Sequence, residues 1–124
     1  MKLYEVLSLQ EFYNTIKDKK LPIKTTYKLS KLMRRVEEES QFYSAEFAKI
    51  VNLYAKKENG ELIYSQDGTS IEIIPGKESE CNEKILELQN LEVNLGEFSF
   101  ELEEFEGVDV TLFEMQGILP LIKD

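Results

Sequence analysis

Residues 22 to 57 constrain the chain more than any other stretch, because nothing in them stops a helix once Pro22 has started one. Within this stretch Leu29, Leu32, Val36, Tyr43, Phe47, Ile50 and Tyr54 advance by three, four, seven, four, three and four residues, the spacing of one helical face. Ser40 stands where the stripe has its gap, and Met33 and Val51 widen it. Pro22 suits a first helical position, where the missing N–H has no partner anyway, and Asn59-Gly60 supplies the stop. At ~1.5 Å per residue such a helix is roughly 54 Å long. An average helix has about 11 residues, and a chain of 124 residues is too small to wrap so long a rod on all sides. The stripe is therefore expected to be covered in part by another copy, most simply in a two-fold dimer.

The remaining elements are short. Ser8 and Glu11 form a capping box ahead of Leu9, Phe12, Tyr13 and Ile16, which predicts a helix over 9–19 doubling back on Ile23 and Tyr27. Asp67-Gly68 between two β-rich runs predicts a hairpin over 61–74, with Tyr64 opposite Ile71 and Leu62 opposite Ile73. Ile85, Leu86, Leu88 and Leu91 give a helix over 79–90 an apolar face that can cover the distal half of the rod. Alternation at Leu91, Val93 and Leu95, and again at Phe98, Phe100 and Leu102, predicts one bulged strand or two short ones over 91–102. Thr111 and Glu114 cap a last helix over 111–118, buried through Leu112, Phe113, Met115 and Ile118, and the tail Leu119, Leu121 and Ile122 is expected to dock. The expected fold is α+β in a single domain, 1–124: one long central helix, short flanking helices and a small antiparallel hairpin-based sheet.

Composition closes off several functions. There is no histidine and a single cysteine, Cys81, which excludes an internal disulfide and a cysteine-based zinc cage. With no glycine-rich phosphate loop and no nucleophile motif, no catalytic residue, metal ligand or cofactor is nominated, and the chain is expected not to be an enzyme. No apolar run approaches the ~18 residues of a membrane span, and the opening residues lack the apolar block of a secretory signal, so the expected address is cytoplasmic.

Charge is the sharpest surface feature. The net charge is -9, yet residues 17–35 hold eight cations against Asp18 alone, and Lys24, Lys28, Lys31 and Arg35 fall on one line along the helix. Residues 92–114 hold eight carboxylates, among them Glu101, Glu103 and Glu104, and no cation. Three readings stay open: a solvated face, complementarity within the chain or between its copies, and an external partner. The basic line would suit an anionic nucleotide, but the surrounding negative field argues against general nucleic-acid binding. The acidic segment, with Phe98, Phe100 and Phe105 among its carboxylates, would suit a basic groove of another protein.

The layout from Leu21-Pro22-Ile23-Lys24 and Tyr27-Lys28-Leu29-Ser30-Lys31-Leu32 to Val110-Thr111-Leu112-Phe113 and Leu119-Pro120-Leu121-Ile122 resembles small uncharacterised proteins encoded by phages and prophages of low-GC Gram-positive bacteria. The resemblance implies a viral setting in the bacterial host cytoplasm, and either an assembly component or an early protein that disables a host factor. The expected function is thus non-enzymatic binding of a host or phage protein, as a homo-oligomer joined through the stripe from Leu29 to Tyr54. The alternative is a sponge that holds an anionic nucleotide at the basic helix face.

Overall fold

The computed structural model describes residues 1–123. In chain order it contains α1 (Leu3–Ile16), α2 (Ile23–Tyr54), β1 (Lys57–Glu58), β2 (Glu61–Leu62), α3 (Glu78–Gln89), β3 (Phe100–Glu101), a 3-10 turn (Leu102–Phe105), α4 (Leu112–Met115), a second 3-10 turn (Leu119–Leu121) and β4 (Ile122–Lys123). The fold is mixed helix and strand, and the long helix passes Ser40 without a break. At ~1.5 Å per residue its 32 residues measure about 48 Å. Among the described residues no helix is long and apolar enough to cross a membrane.

The chain divides into two compact units, Met1–Gln41 with the segment from Leu91 onward, and Phe42–Asn90. In the first, α1 begins six residues earlier than the Ser8 signal predicts. Leu3, Val6, Leu9, Phe12 and Ile16 continue one stripe backward at helical spacing, and all are buried. The Lys2 amide donates to the Glu5 carboxylate at 2.9 Å, which is the true start, while the Ser8 hydroxyl turns inward along the helix to the Glu5 carbonyl. The N-terminus is tied down: the Leu3 amide donates to the Leu91 carbonyl at 2.8 Å and the Val93 amide to the Met1 carbonyl at 2.7 Å. The strand expected over 91–102 is therefore two separate pieces. Its first end bridges Lys2 and Glu92, and its second, β3, pairs in parallel with β4, Phe100 opposite Ile122. That pairing ties down the tail in part, with Leu121 buried, Ile122 half-buried and Leu119 left exposed.

The last helix is a single turn. Its capping box is formed as expected, with the Glu114 amide donating to the Thr111 hydroxyl at 3.1 Å and the Thr111 amide to the Glu114 carboxylate at 3.3 Å. Only Ile118 is fully buried, however, whereas Leu112 and Phe113 are 79% and 80% exposed. Spacing alone could not tell the sides of so short a helix apart. The decisive contact is at Gly117, where an added Cβ would sit 3.3 Å from the Phe12 Cβ, so this stretch lies against α1 on that side. Ile23 and Tyr27, expected under α1, are 88% and 60% exposed.

In the second unit α2 runs directly into an extended segment that takes part in the β structure. Tyr64 bridges Ile71 in the expected register, but Leu62 pairs with Lys57 and Ile73 with Ala55. The two arms stay bonded near the tip, the Ser65 amide to the Ser70 carbonyl and the Glu72 amide to the Ile63 carbonyl, while lower down the residues just after α2 bond to both arms: the Lys56 amide donates to the Glu72 carbonyl and the Ile63 amide to the Lys56 carbonyl. At the tip Gly68 takes a φ of 73°, a conformation that favours glycine. The Asp67 carboxylate accepts hydrogen bonds from the Ser65 hydroxyl and from the amide and hydroxyl of Thr69, which lower its pKa to about 2. Because this pKa lies below the unfolded value, the turn's contribution is complete above the ordinary aspartate range and fades as pH falls through about 2. A carboxyl-detected NMR titration should find Asp67 among the most acidic side chains, and an ordinary midpoint would contradict these bonds.

Candidate functional site

The interaction stripe proposed from spacing divides in two. In the first unit Leu29, Leu32 and Val36 are already buried at 3% or less exposure, and Thr25 continues the same face one turn earlier. Their own chain covers them, so they offer a partner nothing. In the second unit Tyr54 is also buried, Tyr43 and Ile50 are half-buried, and Phe47 is only 36% exposed with its ring stacked on Tyr43 at 5.8 Å. Gln89 of α3 donates to the Tyr43 hydroxyl at 3.5 Å. Of the self-association surface nominated from Leu29 to Tyr54, the chain itself thus buries Leu29, Leu32, Val36 and Tyr54, while Tyr43, Phe47 and Ile50 stay partly exposed.

The basic line is partly consumed as well. Lys28 Nζ sits 2.9 Å from one Glu104 carboxylate oxygen and 3.0 Å from the other, and 4.5 Å from the centre of the Phe100 ring. Arg35 pairs with Glu39 one turn on, at 3.0 Å. Lys31 lies over the exposed Tyr27 ring at 4.7 Å. The hydrogen bond and charge of Lys31 lower the Tyr27 pKa. Lys24 is exposed and makes no ion pair among the described residues. The four cations are therefore not a cradle converging on one anion, since two of them already hold carboxylates.

Glu104 is the structural hinge pin of the acidic segment. Besides Lys28, it accepts from the buried Thr25 hydroxyl at 3.1 Å and from the Glu101 amide at 2.7 Å. Burial raises the pKa of its carboxyl, but the hydrogen bonds from Lys28, the Glu101 amide and Thr25, with the Lys28 charge, outweigh that and hold the pKa below the usual glutamate range. Spacing alone missed Thr25. Its position four residues before Leu29 was the available signal, a polar residue on the buried face that would need a partner.

With Glu104 turned inward, Glu101, Glu103 and Glu106 remain exposed. They flank an apolar depression of about 410 Å³ lined by Leu102, Phe105, Val110 and Met115 with Glu103 and Glu106. Beneath it Phe105 meets Phe12 edge-on at 5.7 Å and Phe100 at 5.6 Å, so the floor is rigidly packed. Around it Leu102 is 59% exposed, and Leu112 lies one helical turn before Met115. A second, more polar depression on the α1 side of α4 is lined by Ser8, Glu11, Thr15, Phe113 and Gln116. Among the described residues no three His, Cys, Asp or Glu side chains gather as a metal would require.

Comparison with protein-family models, with curated proteins and with solved structures finds no match for this chain.

Proposed function

We propose that this chain acts by binding another protein, without catalysis, and that the acidic C-terminal segment is the surface it binds with. One observation carries the reading: a packed apolar depression bordered by the exposed Leu102 side chain and by carboxylates that no cation of the described residues neutralises. Contiguous exposed apolar surface rimmed by polar groups marks interaction sites, since it gains nothing from water. The carboxylates choose the partner's sign, which is positive. In the phage setting that the resemblance implies, such a protein is an assembly component or an inhibitor that occupies a basic surface of a host factor.

A short labelled leucine–lysine peptide serves as probe. Fluorescence anisotropy should register binding that weakens by about tenfold in Leu102→Asp, the equivalent of roughly 1.4 kcal/mol for one lost apolar anchor. This substitution adds negative charge, so mere attraction between a cationic peptide and an acidic protein would grow stronger. Unchanged or tighter binding overturns the proposal.

A further inference from the structure

We infer that the depression formed by Leu102, Phe105, Val110 and Met115 takes the basic helix face of a second copy of this chain. The inference rests on the protein-binding reading above and names the occupant. The apolar depression sets the requirement, and the chain itself supplies a match in the first half of α2. Ile23, Tyr27 and Arg34 each lie two residues from a buried position (Thr25, Leu29, Leu32 or Val36). At ~100° per residue that puts them on the side of α2 turned away from its own core. Ile23 is the most exposed of the large apolar residues, at 88%, and Tyr27 follows one turn later. Lys20, Lys24, Lys31 and Arg34 surround the two, exposed and without an ion pair among the described residues. This is an aliphatic anchor with an aromatic neighbour inside a ring of cations, the complement in both polarity and sign of an aliphatic depression flanked by Glu103 and Glu106.

Charge also decides which patches meet. A contact of either patch with itself would set cations on cations or carboxylates on carboxylates, and like charges across an interface are unfavourable. The basic patch of one copy therefore meets the depression of another, either once per pair, which extends into a chain or ring, or reciprocally about a two-fold axis. The contact lies at these two patches and not along the long stripe, and the partner copy contributes Ile23 and Lys24 to a site that is incomplete without them.

The test uses two variants of the full chain, Ile23→Glu and Leu102→Lys, each altering an exposed residue of one patch and leaving the other intact. Circular dichroism should give both the wild-type melting curve, confirming that they fold. In sedimentation velocity the wild type should grow with concentration beyond a monomer, and salt that screens surface charge should weaken that growth. Each variant alone should stay monomeric over the same range. Mixed in equal amounts, they should form a heterodimer and stop, because only the intact patch of each can pair. A monomeric wild type, variants that associate as the wild type does, or a mixture that stays monomeric each overturns the inference. If the wild type is monomeric while the leucine–lysine peptide still binds in a manner that depends on Leu102, the protein-binding reading survives and the occupant is foreign.

Discussion

Replacing Glu104 with alanine is expected to destabilise the first unit by about 3 kcal/mol, in the range for breaking a part-buried charge pair and orphaning its hydrogen-bond partners. Three donors lose their acceptor together: the Lys28 ammonium, the Thr25 hydroxyl and the Glu101 amide. Thr25 is 1% exposed, so water cannot replace the carboxylate without opening the packing around it. Charge reversal at Glu103, one residue earlier and exposed at the rim of the depression, should change stability by no more than about 0.5 kcal/mol, as surface substitutions do. Chemical denaturation of the two variants makes the comparison. The pH dependence has a definite sign. The Glu104 pKa is depressed in the folded state, so its contribution is complete above the ordinary glutamate pKa and is lost as pH falls through the folded value. Glu104→Gln should therefore be less stable than wild type at neutral pH, and the gap should close in acid. A gap that widens in acid would contradict the assigned hydrogen bonds.

The second large effect is expected at Phe100. Phe100→Ala should cost about 4 kcal/mol, the usual cost of emptying a phenylalanine site that cannot collapse. Phe100 is 1% exposed, its ring lies 5.6 Å from that of Phe105, and it carries the Lys28 ammonium on its face. It also opens β3, the strand that holds β4. The substitution should accordingly raise amide hydrogen exchange around Ile122 as well as lower the melting temperature. The control lies in the same acidic run of sequence: Phe113→Ala, at 80% exposure, should leave the melting temperature nearly unchanged. Equal effects at the two positions would mean that the core is misassigned.

These contrasts mark where sequence reasoning reached and where it stopped. The long helix was legible because it needs only local spacing and a start and stop, and Pro22 and Asn59-Gly60 bracket it to within a few residues. The capping box at Thr111 was legible for the same reason. Glu104 was not, since it is one of eight carboxylates in its run and its partners Lys28 and Thr25 lie 76 and 79 positions away. The hairpin kept its Tyr64–Ile71 register but lost its lower rungs to Ala55, Lys56 and Lys57, whose extended backbone carries no period-two pattern to announce it. Leu112 and Phe113 looked like the buried side of a helix, but one turn cannot bury two sides, and Gly117 decided which one faces α1. Of the residues nominated for interaction, Glu101 and Glu103 remain on the exposed surface, while Glu104 and most of the apolar stripe serve the fold.

Binding runs through the C-terminal depression and not along the apolar stripe of the long helix from Leu29 to Tyr54. Backbone chemical shifts of isotopically labelled protein, followed as the leucine–lysine peptide is added, test it most directly. The account predicts that the perturbed amides gather at Leu102, Glu103, Phe105, Val110 and Met115, with little change from Leu29 to Tyr54. Shifts that instead track Tyr43, Phe47 and Ile50 and leave the C-terminal segment untouched would contradict it.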